Sequence, residues 1–486
     1  MKKSLLFLGL LGYASSLHAQ TTPNLGPWVQ VNTVNSGAFA PGYRIDHVNT
    51  VSPNVAWAVA QEIGTTNSNA FFVTKNAAGT EFDFGSINAP NGSQTFVAGN
   101  ISGISNQVAV AATYSATAGG GEILRTTNAG ISWTKVSTAN QFVASQGGFL
   151  NFIHMFDANV GVAMGDPTNG SFEILRTTNG GVTWTRNAAS TMPTPLPNEY
   201  GLVHSFFASG NTIWFGGGSS VATSQVRIFK STDRGATWTA STLTSLVSGV
   251  SKLAFRDAQN GIAYNVTLNA AQTEVTAVNV IRSADGGATW SSITPVNNAT
   301  GSFFRFDIDA VDGKFYSVGA RFPTATPAVA ADFGSSYSTD GINWTNANNS
   351  QGFFAFDLIP GTVAGTAAGY AGAQTDANGV GGIFKSSNVI RLASRDAALQ
   401  SGLNVFPNPS ASGVFTVELG NATSLQAGAE LTISDALGRQ VKSQSLNATT
   451  IGARKLTLDL SAQKSGVYTL QIRTQAGLAI QKIVIE

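Results

Sequence analysis

A motif that returns about every fifty residues, period-two alternation of Val, Ile and Thr between its copies, and a change of pattern near residue 388 predict an all-β chain: a seven-bladed β-propeller followed by a small antiparallel β-sandwich. Five copies align directly: Ile123-Leu-Arg-Thr-Thr-Asn-Ala-Gly-Ile-Ser-Trp133, Ile174-Leu-Arg-Thr-Thr-Asn-Gly-Gly-Val-Thr-Trp184, Ile228-Phe-Lys-Ser-Thr-Asp-Arg-Gly-Ala-Thr-Trp238, Val280-Ile-Arg-Ser-Ala-Asp-Gly-Gly-Ala-Thr-Trp290 and Ser336-Tyr-Ser-Thr-Asp-Gly-Ile-Asn-Trp344. Their tryptophans lie 51, 54, 52 and 54 residues apart. Weaker copies flank them, Phe72-Val-Thr-Lys-Asn76 ending near Phe82, and Ile383-Phe-Lys-Ser-Ser-Asn388 with no Trp after it. The Asp/Asn position then occurs seven times, at Asn76, Asn128, Asn179, Asp233, Asp285, Asp340 and Asn388.

Each repeat reads as an apolar strand, a turn, a second strand, a loop and a hairpin. In the third, Phe152–Phe156, the turn Asp157-Ala-Asn159, Val160–Met164 and a loop Gly165–Gly170 precede the hairpin at Asn179-Gly180-Gly181. Four strands per unit of this length make a propeller blade, and the β-branched alternation excludes helical repeats. The seventh copy lacks an outer strand. Pro27–Val31 near the N-terminus supplies one, with Trp28 in place of the missing Trp, which would close the ring and leave no open sheet edge.

Within the motif, Asp or Asn can accept bonds from nearby backbone N–H groups, Gly supplies a positive φ, and Trp packs between sheets. The structural positions are Asn128, Gly130 and Trp133; Asn179, Gly181 and Trp184; Asp233, Gly235 and Trp238; Asp285, Gly287 and Trp290; and Asp340, Gly341 and Trp344, the last copy one residue shorter. The segment Ser/Thr-x-Asp/Asn-x-Gly-x-Thr/Ser-Trp resembles the Asp-box, or bacterial neuraminidase repeat, a hairpin between the third and fourth strands of a blade. Two of the full-length turns carry Asn instead of Asp, so the motif marks architecture and carries no chemistry.

Lys2 and Lys3, an apolar run from Leu5 to Leu11 and Leu17-His-Ala19 read as a signal peptide over residues 1–19. No later stretch is long and apolar enough for a membrane helix. The chain has no Cys, which excludes thiol catalysis and Cys-ligated metals, and its net charge of +1 offers nothing to nucleic acid. No cofactor is expected, and a monomer is.

Residues 22–388 are thus assigned to the propeller and 389–402 to a linker. From residue 403 to 486, short alternating strands are expected at Phe415–Leu419, Leu431–Ile433, Lys455–Leu460, Val467–Ile472 and Ile480–Ile485, a small sandwich. Val405-Phe-Pro-Asn-Pro409, Ile433-Ser-Asp-Ala-Leu-Gly-Arg439, Ser465-Gly-Val-Tyr468 and Lys482-Ile-Val-Ile-Glu486 resemble, in order and combination, the C-terminal sorting domain of the type IX secretion system of Bacteroidetes. The resemblance implies engagement of that secretion machinery by residues 403–486, passage through the periplasm of a Gram-negative bacterium to the surface or medium, and removal of the domain near the linker.

Propeller ligands sit on one face around the channel. The face expected to carry them collects the loops between blades and those joining second to third strands, where Arg44, Glu62, Asp166, Glu199, Tyr200, Arg305 and Arg321 fall. His47, His154 and His204 each lie ten residues before Trp57, Met164 and Trp214, which places them at equivalent inner-strand positions, as neutral hydrogen-bonded side chains or as a channel metal cluster. A sialidase needs clustered arginines, a Tyr activated by Glu and an acidic acid/base. Arg44, Arg305 and Arg321 supply candidates, but Arg44-Ile45 is followed by Asp46 where a sialidase has Pro, and sialidases resemble six-bladed wheels. Residues 22–388, through Met155-Phe-Asp-Ala-Asn-Val-Gly-Val-Ala-Met-Gly-Asp-Pro167, resemble instead the seven-bladed relatives of photosystem II assembly factors, which bind partner proteins. The expected function is a secreted or surface scaffold that binds a protein or a glycan, such as a surface polysaccharide, with a sialidase-like or other glycoside hydrolase as the alternative.

Overall fold

The computed structural model describes residues 28–33, 43–62, 69–87, 96–115, 117–268, 275–296, 302–320, 333–348, 351–361, 367–375, 381–386, 397–420, 429–435, 440–446, 448–474 and 478–486. The expected signal peptide lies outside these residues. The chain divides into two compact units, Met1–Asn388 and Val389–Glu486.

The first unit is a propeller of seven antiparallel sheets. The first strand of each, in blade order, is Tyr43–Ser52, Phe96–Gly103, Leu150–Met155, Glu199–Ser209, Lys252–Phe255, Asp307–Val311 and Ala355–Pro360. Within a blade the spatial order follows the sequence. Blade three runs Leu150–Met155, Gly161–Thr168, Ser171–Thr177 and Thr185–Arg186. The loop expected over Gly165–Gly170 is strand instead: pairing continues to Thr168↔Ser171, past a bulge between Gly165 and Pro167. Asn169-Gly170 turns it with both φ angles positive, 54° and 82°, the pair a two-residue hairpin demands.

Blade seven takes its outer strand from the other end of the unit. Trp28–Gln30 pairs antiparallel with the third strand Ile383–Ser386, Trp28 opposite Ser386 and Gln30 opposite Phe384. Trp28 is buried with Val311, Tyr316 and Val318 of blade six, its ring 5.1 Å from Phe353. Two residues on, Asn32–Thr33 runs parallel to Glu81–Phe82 of blade one, so one short segment joins both sides of the seam.

The Asp-box turns share the bonds made by their hydroxyl and their Asp or Asn, and in blades three to six the Trp indole adds one more. In blade three the Thr177 hydroxyl accepts the Gly181 N–H at 3.0 Å, Asn179 Oδ1 accepts the Thr183 N–H at 3.0 Å, and Trp184 Nε1 donates to Gly181 O at 3.2 Å. Blade six keeps the scheme with a residue fewer: Asn343 stands for the hydroxyl residue and bonds Asp340 through both its backbone and its amide at 2.8 Å. Gly130 shows why Gly is required. Its φ is 81°, and a Cβ there would lie 2.0 Å from the Phe71 ring of blade one. The following Trp133 packs edge-on to that ring and to Trp57, and Phe82 does the same against Tyr370 of blade seven. Each turn therefore seats an aromatic against the preceding blade.

The second unit stacks a sheet of Asn404–Phe406, Val414–Glu418 and Lys455–Asp459 with one of Gln440–Leu446, Ala429–Ser434, Gly466–Thr474 and Leu478–Ile485, around Phe415, Leu431, Leu458, Leu470 and Ile472. Asn404–Phe406 and Gln440–Leu446 are strands the sequence pattern did not announce, since one is three residues long and the other almost wholly polar. Part of the expected linker is also structured. Ala397–Gly402 is a short helix, held because Leu399 is fully buried in this core and Gln400 bonds the backbone of Ile480.

Deleting residues 22–31 removes the strand that closes blade seven and is expected to lower the melting temperature of the whole propeller rather than of a local segment. Trp184→Ala, which empties a site between blades two and three, is expected to cost about 3–5 kcal/mol in chemical denaturation. Unchanged unfolding curves would contradict the seam and the Asp-box packing respectively.

Candidate functional site

The first strands of the seven blades line a central channel. Each has a free ladder edge there, and its backbone groups need partners from outside their own sheet. Short polar side chains of the neighbouring blade provide them at six junctions, and a side-chain ion pair ties blade five to blade six. Asn49 Oδ1 accepts the Gly103 N–H at 2.7 Å, and Asn100 bonds both backbone groups of Ile153 at 2.8 and 3.0 Å. Asp166 accepts the Gly201 N–H at 2.9 Å, and the Ser205 hydroxyl donates to Val250 O at 2.6 Å. Lys252 pairs with Asp307 at 2.9 Å; Asp307 and Asp309 accept the Phe356 and Leu358 N–H groups at 3.2 and 2.6 Å; Asp357 accepts the Thr50 N–H and closes the circuit.

These buried carboxyls titrate abnormally. Burial first, and then the proximity of Asp357, raises Asp309 well above the usual carboxylate range. Burial raises Asp357 to about 7 against the bonds from Thr50 and Asn49. Asp166 is likewise raised by burial to about 6.

All three histidines line the channel, but not at equivalent positions. Trp57 pairs with Asn49, Met164 with Phe152 and Trp214 with Phe207, so the common ten-residue spacing spans different registers, because the turn between the first two strands has two residues in blades one and four and five in blade three, while bulges interrupt the first strands of blades one and four. His204 sits in the second of these bulges with φ 62°. From there it reaches Gly99 O of blade two and stacks on His47 of blade one, ring centroids 5.3 Å apart. His47 Nε2 lies 3.0 Å from Ile101 O. Burial lowers all three, His154 and His204 to about 4, so each imidazole is neutral at pH 7. Among the described residues no three His, Asp or Glu side chains are placed to hold a metal ion.

A cavity of about 400 Å³ occupies the channel from the level of His47 and His204 to the turns after the first strands, at Ser209-Gly210, Asp312 and Pro360. These turns are on the Asp-box side: the Gly180 N–H of the blade-three Asp-box donates to Asn159 O in its first turn, and blades two, four and five repeat the bond. The residues expected to carry a ligand lie toward the opposite ends of the strands, and none of the six described lines this cavity. Arg44 bonds Asp46 and Gln61, with its guanidinium 5.5 Å over Phe354. Glu62 ends the next strand, opposite Tyr43. Glu199 holds Arg227 through both oxygens, at 3.0 and 2.6 Å, and Tyr200 rests on Gly218. Asp166 reaches the same strand through Gly201, so blades three and four form one group and Arg44 with Glu62 another. Arg305 immediately precedes the first strand of blade six, and Arg321 lies outside the described residues.

Sequence reasoning passed over Lys252, Asp307, Asp309 and Asp357. The available signal was a carboxylate alternating with apolar residues in a buried strand, as in Asp307-Ile-Asp-Ala-Val311. It also passed over the basic residue before the motif hydroxyl: Arg125 and Arg176 donate to carbonyls of the next blade's Asp-box, Gly180 O and Arg234 O, at 2.8 and 3.1 Å.

In the second unit the motif residues sit where hydrogen bonds fasten the last strand, Asn408 to Lys482 O and the Val484 N–H. Residues 404–486 match the family described as the secretion system C-terminal sorting domain. The second unit is a sorting domain. It marks the chain for export by type IX secretion, to the medium or to the cell surface of a Gram-negative bacterium. No curated protein matches the chain. Similar solved structures include PorZ, a surface component of the type IX secretion system of Porphyromonas gingivalis (13% identity, covering 91% of this chain and 70% of that one, TM-score 0.35). A Trypanosoma rangeli sialidase (11%, 94% and 86%, 0.37) and a Xanthomonas campestris xyloglucanase (12%, 94% and 81%, 0.32) are others. The propeller rests on its own strand order and register, and the sorting domain on its sequence match.

The channel groups make stability depend on pH with opposite signs. His154 and His204 bind fewer protons folded than unfolded, so their contribution is present above about pH 6.5 and is lost as pH falls toward 4. Asp357 binds more protons folded, so its contribution is present below about pH 4 and is lost as pH rises through about 7. Asp357→Asn is therefore expected to make melting temperature climb more steeply between pH 4 and 6.5 than in the wild type, and His154→Phe less steeply. Parallel curves for all three proteins would contradict the assignment.

Proposed function

We propose that the protein is an exported propeller scaffold that binds a protein or a glycan at the cell surface or outside the cell, without hydrolysing it. The observation that carries this reading is the commitment of the channel carboxylates: Asp307, Asp309 and Asp357 each accept a backbone N–H of the following blade. A hydrolase needs carboxyls free to exchange protons with substrate. The sialidase alternative further requires a Glu beside a Tyr, and here Glu199 is locked by Arg227 while Tyr200, its neighbour in the strand, points to the other side of the sheet. The basic side chains at the cavity are Lys252 and Arg256, paired with Asp307 and Asp257.

A surface suited to a protein partner lies at blade four, where Leu196, Val221 and Val247 are exposed on neighbouring loops that bond one another through Asn198, Ser219, Ser220 and Ser248. Clustered exposed apolar side chains of this kind mark interaction sites.

Removing residues 403–486 is expected to leave the propeller folded but retained in the periplasm, as read by fractionation, and equal release of both forms would refute the export role. The purified propeller is expected to leave fluorogenic sialosides and simple glycosides intact. Robust sialoside turnover abolished by Arg44→Ala or Arg305→Ala would overturn the scaffold reading in favour of the hydrolase.

A further inference from the structure

The channel cavity is a cup rather than a bore. Its floor is the His47–His204 pair, which spans from blade four to blades one and two. Its mouth is ringed by the turns at Gly210, Asp312 and Pro360. At about 400 Å³ it falls near the small end of the range of about 300–1,000 Å³ that small-molecule sites occupy.

Below the exposed Asp312 at the rim, the charges on its wall are matched internally. Lys252 faces Asp307 at 2.9 Å, and Arg256 at the mouth lies 3.4 Å from Asp257. Asp309 and Asp357 are satisfied by N–H donors from neighbouring blades, and burial drives both toward their neutral form. A ligand carrying a full charge would have to break one of these pairs or enter uncompensated, at substantial cost.

The neutral imidazole of His154 has no such tie. Among the described residues it makes no hydrogen bond, and its ring lies edge-on to Phe156 at 4.8 Å and tilted against Phe206 at 6.1 Å. Phe206 is braced in turn by Phe152, stacked at 4.5 Å. The wall thus offers an imidazole with one donor and one acceptor beside a fixed aromatic surface. A hydroxylated ring with an apolar face needs that combination; below the Asp312 rim, neither an anion nor a cation finds an unpaired counter-charge on the wall.

We propose that this cup, on the Asp-box face of the wheel, is the binding site for a neutral sugar unit, the end of a glycan entering past Gly210 and Pro360 and meeting His154 with its hydroxyls and Phe206 with its ring face. The inference deepens the scaffold reading and rests on it. It also puts the ligand on the face opposite the one that Arg44, Asp166 and Tyr200 occupy.

Saturation-transfer NMR and calorimetry on the full chain test it with cellotetraose, maltotetraose, mannotetraose and chitotetraose, against 3′-sialyllactose and tetragalacturonate. At least one neutral tetrasaccharide is expected to bind, and His154→Ala to weaken it tenfold or more. Ser209→Trp at the mouth, on an exposed position that holds no blade together, is expected to abolish binding with the melting temperature unchanged, which keeps the test decisive if His154→Ala folds poorly. Silence from every neutral probe, equal binding of the charged ones, or indifference to Ser209→Trp would overturn the proposal. Loss of sugar binding alone, with a surface protein still captured through Tyr200 and Val247, would sink the cup and leave the scaffold reading standing; loss of both would sink both.

Discussion

A ring of sheets is held by its weakest junction, and here that junction is a three-residue strand. Trp28–Gln30 pairs with Ile383–Ser386 and buries Trp28 between blades six and seven, while Asn32–Thr33 carries the chain across to blade one. Without it, blade seven would expose an edge, and the first and last blades would keep their first-strand contacts and the ties that Tyr370 and Lys385 make to Gly79 and Asn54. Closure at this point makes the channel a closed surface, so every residue that faces it belongs to one site with fixed geometry.

The same requirement for closure explains the chemistry of the channel. Seven inner strands cannot pair with each other as a ladder, yet their edges must be satisfied. The chain meets the need with Asn49, Asn100, Asp166, Ser205, Asp307, Asp309 and Asp357, each short enough to reach a backbone group of the neighbouring blade, and Lys252 pairs with Asp307 between blades five and six. Carboxyls used this way are perturbed by burial. An abnormal titration in a central cavity is a common mark of an active site, and in this molecule the same carboxyls accept backbone N–H groups across the blade junctions.

The export address is a unit of its own in the chain. The sorting domain has its own core and its own hydrogen-bonded motif, so it can serve as an address whatever the propeller holds. The propeller, for its part, invests its repeated residues in packing: the Asp-box hydroxyl, amide or carboxylate, glycine and tryptophan, with Arg125 and Arg176 extending the tie to the next blade. What remains for a ligand is the small set of channel and loop residues that do not repeat.

Repetition is also why the fold was legible in the residues alone. The Asp/Asn, Gly and Trp spacing, the unaccompanied Trp28 and the period-two strands follow from local backbone chemistry, which is the same in every blade. The sandwich strands were readable where apolar residues alternate, as in Lys455–Asp459, and unreadable where the strand is polar, as in Gln440–Leu446. The site was not legible. The ten-residue spacing of the histidines looked like a shared register, but turns of different length changed the pairing, and His204 reaches His47 from a bulge with a left-handed backbone. Which end of the channel holds the cavity, and which carboxyls are spent on the neighbouring blade, depend on residues some fifty positions apart meeting across a blade junction, and no local pattern in a single strand encodes that meeting.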